Sequence, residues 1–363
     1  MKHLSWLMLF SFCALTVGWG AQTATPAPRK HGRSVVPAPA SPATGRAAID
    51  IRSADPYLGA IAVDAATGRV LFEDKADEPG YPASVIKLMD LLLIEERIDA
   101  GLLALTNMVQ VTAEAARTGG SQVYLAEKEV FPIEELVAAL AIHSANDAAV
   151  ALAVHVAGTP KVFIDLMNKR AAELGMLATR FHSVHGLPPG EGQEPDVSTA
   201  RDLTLLAREV LRHPDVTRYT SAQNRPFRNG SFALRNPDHL LGSYPGCDGL
   251  KTGYFLAGGF SIVATAQRDG RRVIAVVLGS KDSKVRDATA RDLLSKGFLA
   301  LEALPPAAVT NAVPTHAVPV ARPPKAATPW TARRILMATG AALVVLILGV
   351  ILGRIGRPRR EGR

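Results

Sequence analysis

The apolar positions change period several times along the chain, and each change marks an element. From Leu4 to Trp19 they run almost unbroken behind a short basic start, Lys2-His3, and small residues Gly18, Gly20 and Ala21 follow. That layout predicts a secretory signal peptide over residues 1–20, with an uncleaved anchor as the alternative beside the bulky Trp19. Residues 21–48 are rich in Pro, Ala, Ser and Thr, cannot bury a core, and read as a flexible leader. Short β-prone runs at 59–64 and 69–72 flank Ala66-Thr67-Gly68 and predict a hairpin. An apolar run at 85–94 predicts a buried helix. Residues 109–130 are mixed, with Gly119-Gly120 as a break.

Helical periodicity then dominates. Helices are predicted at 133–143 behind Pro132, at 148–156, and from Thr159-Pro160, an N-cap with Pro at N1, to about 174. Gly and Pro within His185-Gly-Leu-Pro-Pro-Gly190 make 181–195 a loop. Thr199-Ala-Arg-Asp202 resembles a capping box opening a helix that ends near 213, with Asp202 as a structural cap. Hairpins follow at 225–235, around Asn229-Gly230, and at 260–278, turned at Asp269-Gly270. A helix over 283–301 closes the block. Strands come first and last with helices between, so residues 49–302 are expected to form one α+β domain, its sheet built from both ends of the block.

After a Pro/Ala-rich linker at 303–332 the pattern changes once more. Ile335 to Leu352 carries no charge; at helical rise it covers roughly 27 Å, enough for a bilayer core. Residues 333–353 are therefore predicted to be a transmembrane helix. The tail at 354–363 is basic, which places it in the cytoplasm and the domain on the extracytoplasmic side.

Composition adds limits. The chain has 363 residues, 48% of them hydrophobic, with a net charge of +8. Much of that charge lies in Arg354, Arg357, Arg359, Arg360 and Arg363 beside the apolar span, so it points to membrane topology rather than nucleic acid. Aromatics are only 6%, too few for base-stacking platforms. Of the two cysteines, Cys13 falls in the predicted signal peptide, which leaves Cys247 without an internal disulfide partner; it is expected to be buried and inert.

The candidate chemistry centres on Ser84-Val-Ile-Lys87, at the start of the first predicted helix. Lysine three residues beyond a serine shares its helix face. Burial would push the ammonium towards its neutral form, and a neutral amine beside Ser84 Oγ could take its proton. The same tetrapeptide is also compatible with an N-cap serine and a surface lysine. Two more short motifs follow in order, Ser144-Ala-Asn146 and Lys251-Thr252-Gly253. Each alone fits a turn or a strand start. The ordered set resembles the Ser-x-x-Lys, Ser-Asp-Asn and Lys-Thr-Gly set of penicillin-binding proteins and class A β-lactamases.

With Pro82-Ala83, Asp147-Ala148, His185-Gly-Leu187, Ser198-Thr-Ala-Arg-Asp202 and Asp248-Gly-Leu250 around it, this set resembles the low-molecular-mass penicillin-binding proteins, the serine-type D-alanyl-D-alanine carboxypeptidases. The resemblance covers about 49–301. It implies a β-lactamase/transpeptidase-like fold: an antiparallel sheet with helices packed on it and a helical subdomain. It departs at the C-terminus, where many members carry a small β-rich domain and an amphipathic anchor.

The resemblance also implies roles. Ser84 attacks the carbonyl of the penultimate D-Ala of a peptidoglycan stem peptide, and Lys87 is the base. Ser144 and Lys251 relay a proton to the leaving D-Ala, and Asn146 orients Lys87 and a substrate amide. The N–H groups of Ser84 and Tyr254 form the oxyanion hole. Gly253 lets the substrate backbone approach the strand that carries Thr252, and Arg286 grips the terminal carboxylate. β-Lactams are expected to acylate Ser84, and no metal or cofactor is needed. His185 is a weaker candidate for the cleft wall.

Three rivals remain at this point. A β-lactamase would need a deacylating Glu, and Glu191 and Glu194 lack the Glu-x-x-x-Asn arrangement. An endopeptidase could use the same residues on D-Ala cross-links. A non-catalytic wall-binding protein would have no chemical need for Ser84, Lys87, Ser144, Asn146 and Lys251 together.

Overall fold

The computed structural model describes residues 55–303. The expected signal peptide, leader, linker, transmembrane helix and basic tail lie outside the described residues. Among the described residues no single helix is long and apolar enough to cross a membrane.

The chain opens with an antiparallel hairpin, β1 (Gly59–Asp64) and β2 (Val70–Asp74). A 3-10 turn (Ala83–Ile86) leads into α1 (Lys87–Asp99). Then come β3 (Met108–Gln110), α2 (Ala113–Ala116), β4 (Val130–Pro132), α3 (Ile133–Ile142), α4 (Asn146–Ala157) and α5 (Pro160–Glu173). A long loop reaches α6 (Ala200–Val210) and the short α7 (Val216–Thr220). The hairpin of β5 (Asn224–Phe227) and β6 (Phe232–Arg235) precedes three long strands, β7 (Cys247–Phe255), β8 (Gly259–Arg268) and β9 (Arg271–Ser280). The helix α8 (Ser283–Glu302) follows.

The main sheet has the order β2-β1-β9-β8-β7, so the first and last strands of the block meet at its centre, as the strand–helix–strand sequence pattern predicts. Its neighbouring strands pair antiparallel. Alternation assigns its two faces. Ile61 and Val63 of β1 and Ile274, Val276 and Leu278 of β9 join the core under the helical block, while Ala60, Ala62, Val273, Ala275 and Val277 face α8. Both faces are covered, which explains why these strands read as nearly continuous apolar runs. The α8 face is small-residue rich, and a Cβ on Gly297 of α8 would sit only 2.6 Å from Val273 Cγ1. That close approach is what the alanines and Gly297 allow.

Some elements differ from expectation. The helix predicted from Val85 begins as a 3-10 turn and runs on to Asp99, because Ile98 still packs against the core beyond the apolar run. The β3–β4 ladder, α2 and α7 have no strong period in sequence; each is short and held by tertiary contacts. At α6, Thr199 is the cap, accepting from the Asp202 N–H. The Asp202 carboxylate does not reach back to the cap but accepts from Ala178 N and Thr179 Oγ1, tying α6 to the turn after α5.

Candidate active site

Ser84 sits in the 3-10 turn, and neighbouring glycines hold that turn in place. Pro82 sets the entry and Ala83 takes φ +50°. Val85 and Ile86 bury themselves behind it. A Cβ on Gly253 of β7 would run into Pro82 O and lie 3.1 Å from Ser84 N. On the other side a Cβ on Gly186 would run into Ala83 O and lie 2.9 Å from Ser84 N. The turn is thus pressed between the β7 strand and the 183–187 loop. The direction a side chain would take at Gly253 is filled by the Ser84 turn, so a residue larger than glycine would displace that turn.

Lys87, the first residue of α1, is fully buried. Its Nζ lies 2.8 Å from Ser84 Oγ, 2.7 Å from Asn146 Oδ1 and 2.7 Å from the His185 carbonyl oxygen. None of these partners is charged. Burial pulls the Lys87 ammonium down to about 7, and Asp90, Asp196 and Asp147 only partly offset that. A neutral amine has two N–H donors and one lone pair. The donors match Asn146 Oδ1 and His185 O, and the lone pair then faces Ser84 Oγ. Ser84 Oγ also lies within 3.3 Å of the His185 carbonyl, which aligns the hydroxyl in the same niche. That is the arrangement of a serine nucleophile beside its base.

The second motif lies in the turn between α3 and α4. Ser144 takes φ +61°, is buried, and lines the same cleft as Ser84. Asn146 begins α4; its Nδ2 donates to Gly119 O and its backbone N to Ser121 O, which fixes the amide that faces Lys87. Asp147 accepts from the N–H groups of Val123 and Leu125 and so ties the loop before β4 to this helix.

The third motif is on β7, which the strand order leaves at a sheet edge. Lys251 is buried, and its Nζ donates to Thr252 O at 2.9 Å. Burial, and then the charge of Lys87, hold its ammonium well below the usual range, against the opposing pull of Asp238. Thr252, Gly253 and the half-exposed Tyr254 line the cleft, and Tyr254 stacks on Phe260 at 4.1 Å. Arg286, in the first turns of α8, is only 4% exposed and lines the same cleft. Its Nε and Nη2 donate to Asp287 Oδ1 at 2.8 and 2.6 Å. The cleft has a volume of about 470 Å³. A larger groove of about 630 Å³ beside Arg208 and Leu205 holds none of these residues.

Of the residues singled out from sequence, Ser84, Ser144, Thr252, Gly253, Tyr254 and Arg286 line the cleft, Lys87 and Asn146 are linked to Ser84 behind it, and Lys251 is buried beside Thr252. Several contributions were not foreseen, including the part of His185 that takes part. The His185 contribution is its backbone carbonyl, and burial lowers its imidazole to about 4, leaving a neutral ring. Asp196 receives the N–H groups of His182 and Ser183 and braces the loop that presents this carbonyl. His143, Ser121 and Arg235 line the cleft wall. A backbone carbonyl and a loop brace carry no residue-type signal, so only the fold reveals them. Cys247 is half-buried, and burial pushes its thiol up to about 12, in keeping with an unreactive sulfur. Glu191 and Glu194 do not line the cleft. Among the described residues no group of His, Cys, Asp and Glu side chains could hold a metal ion.

Comparison with known proteins places this geometry in context. Residues 47–282 match the family described as D-alanyl-D-alanine carboxypeptidase. A D-alanyl-D-alanine carboxypeptidase of Bacillus subtilis, DacF, is 36% identical over 232 residues, covering 63% of this chain and 59% of that protein. Its counterpart DacC of Escherichia coli is 36% identical over 234 residues, covering 62% and 57%. The chain therefore spans less than two thirds of the length of these two relatives. A solved structure of penicillin-binding protein D2 from Listeria monocytogenes, in its ampicillin-bound form, superimposes with a TM-score of 0.61 at 32% identity. That match covers 67% of this chain and 98% of the other.

Proposed function

The chain belongs to the D-alanyl-D-alanine carboxypeptidase family, and we propose that it removes the terminal D-Ala from peptidoglycan stem peptides through an acyl-enzyme on Ser84. The observation that carries this reading is the contact of a fully buried Lys87 Nζ with Ser84 Oγ among neutral hydrogen-bond partners. Lys87 in its neutral form takes the Ser84 proton as Oγ attacks the carbonyl of the penultimate D-Ala. The N–H groups of Ser84 and Tyr254 receive the oxyanion. The C–N bond then breaks, and the leaving D-Ala nitrogen gains its proton through Ser144 and Lys251. Asn146 holds Lys87 and a substrate amide in register. Water, activated by the same lysine, releases the shortened peptide. β-Lactams enter the first step and remain on Ser84, in line with the ampicillin-bound relative.

Substrate alignment follows from the β7 edge. A peptide laid against Lys251, Thr252 and Gly253 gains main-chain hydrogen bonds. Its terminal carboxylate meets Arg286, whose ion pair with Asp287 fixes the guanidinium before substrate arrives. The domain works outside the cytoplasm, held by a span at 333–353; the uncharged stretch between Arg333-Arg334 and the basic tail supports this topology.

The test is release of D-Ala from a pentapeptide, with Arg286→Ala beside the unaltered protein. A charge-assisted contact is worth about 1.5–3 kcal/mol, a loss of roughly tenfold to a hundredfold in kcat/KM. The loss should fall on peptides with a free carboxylate and spare amidated ones. Equal loss on both would remove Arg286 from carboxylate recognition, and absence of any D-Ala release by the unaltered protein would refute the activity.

A further inference from the structure

Three carboxyl groups surround Lys87, and two of them are tied down. Asp147 accepts N–H groups from Val123, Leu125 and Ala148. Asp196 accepts from His182 N, Ser183 N and Ser183 Oγ. At Asp196 these bonds oppose the burial that raises its carboxyl. Asp90 stands apart. It lies one turn beyond Lys87 on α1 and is 1% exposed. Neither of its carboxyl oxygens has a hydrogen-bond partner among the described residues.

An unpartnered buried acid is costly, and native proteins rarely keep one without a reason. With no hydrogen bond to fix it, Asp90 answers first to burial and then to the charges nearby, and Lys87 is the opposing one closest in sequence on its own helix face. Lys87 in turn touches only neutral acceptors, so its countercharge must act through space. The remaining charges around the pair come from other elements: Asp147 on α4, Asp196 in the loop before α6, and Lys251 on β7 beyond Lys87. The His185 ring also faces Lys87 but is neutral. Burial drives the Asp90 carboxyl well above the usual carboxylate range and the Lys87 ammonium below its own, so their proton affinities approach each other.

We propose that Asp90 shares one proton with Lys87, so that the buried pair titrates as a unit and sets the pH at which the base becomes available. With one proton bound, the pair is either ammonium and carboxylate or neutral amine and carboxylic acid. Coulomb attraction favours the first form and burial the second. Only the second leaves the Lys87 lone pair open to Ser84. Asp90 therefore acts through Lys87 as a positioning residue for its proton, and it restrains the base on the acid side. Coupled groups of this kind give a broad, two-step titration.

This inference rests on Ser84 and Lys87 being the reacting pair. The experiment is the second-order rate of Ser84 acylation by a fluorescent penicillin, from acid to alkaline pH, for the full chain and for Asp90→Asn. Asn keeps the shape and removes the charge. The unaltered protein should show a broad acid limb. Asp90→Asn should show a one-proton limb at lower pH, acylating about threefold to tenfold faster on the acid side. The two should converge at alkaline pH, and Asp90→Glu should restore the broad limb. An unchanged limb, or one moved to higher pH, would overturn the proposal. Infrared titration of the unaltered protein gives an arm that does not depend on any variant folding. A protonated buried carboxyl band should shrink in step with the acylation limb, beside any from Asp196, Asp238 and Glu95, which burial also raises; no band changing in step with that limb contradicts the shared proton. Label mapped to a residue other than Ser84 would instead refute the site reading, and the infrared arm would still decide the Asp90–Lys87 pair.

Discussion

Lys87 shows how much of a residue's behaviour is written by its surroundings. Its type and spacing from Ser84 are plain in the sequence, but the same tetrapeptide also fits a capped helix with a solvated lysine. Burial decides between them, because a fully buried ammonium with only neutral partners loses more hydration than it regains. The sign of the pH dependence follows. A lysine lowered to about 7 is protonated below that pH and free above it. Acylation should therefore rise with pH through the neutral range and level off on the alkaline side. Lys87→Arg keeps the positive charge but cannot give it up; stopped-flow acylation should fall by at least about a hundredfold, the usual range for loss of a positioned base. Near-normal acylation by that variant would take Lys87 out of the base role. Ser84, Ser144, Asn146 and Lys251 stood out in sequence only as an ordered set that resembles a family pattern, each motif being ordinary alone. Asp90 and Asp196 were not, since a lone aspartate in a helix or loop has many ordinary explanations and only burial and bonding set these apart.

Elements bring these residues together, and glycines set how closely. The strand β7 and the Ser84 turn approach until no side chain fits at Gly253. Gly253→Ala would press a Cβ against the backbone of Pro82 and Ser84, which must shift. Overpacking of this kind costs about 1–3 kcal/mol, which a stable domain can absorb, but a displaced nucleophile loses roughly a hundredfold in rate. The variant should stay folded by circular dichroism and acylate poorly; a normal acylation rate would mean that the turn yields without consequence. Sequence periodicity found the long elements of this scaffold, α3, α5, α6, α8 and the β8–β9 hairpin, near their observed bounds. It missed β3, β4, α2 and α7, which have three to five residues each and owe their form to neighbours rather than to a period. It gave no sign that Gly253 also packs against the Ser84 turn, since a glycine's neighbours depend on what lies across from it.

At the scale of the whole molecule, the first and last strands of the block share one sheet, so the cleft is complete only when residues more than two hundred positions apart have met. The α8 helix covers the far face of that sheet and carries Arg286 to the cleft. The sequence order of strands and helices foretold this closure, while the depth and contents of the cleft came from packing. Because α8 ends at Glu302, a chain cut after Pro329 should keep the domain. On the proposed topology it should leave the membrane fraction and still bind penicillin; retention in membranes after signal cleavage would point to a second anchor. Every step proposed at this cleft starts from acylation of Ser84. Incubation of the full chain with a fluorescent penicillin, followed by mass mapping of the labelled peptide, tests this directly. The label should lie on Ser84 and be absent from folded Ser84→Ala. A label on Ser144, or one that persists in Ser84→Ala, would contradict the assignment.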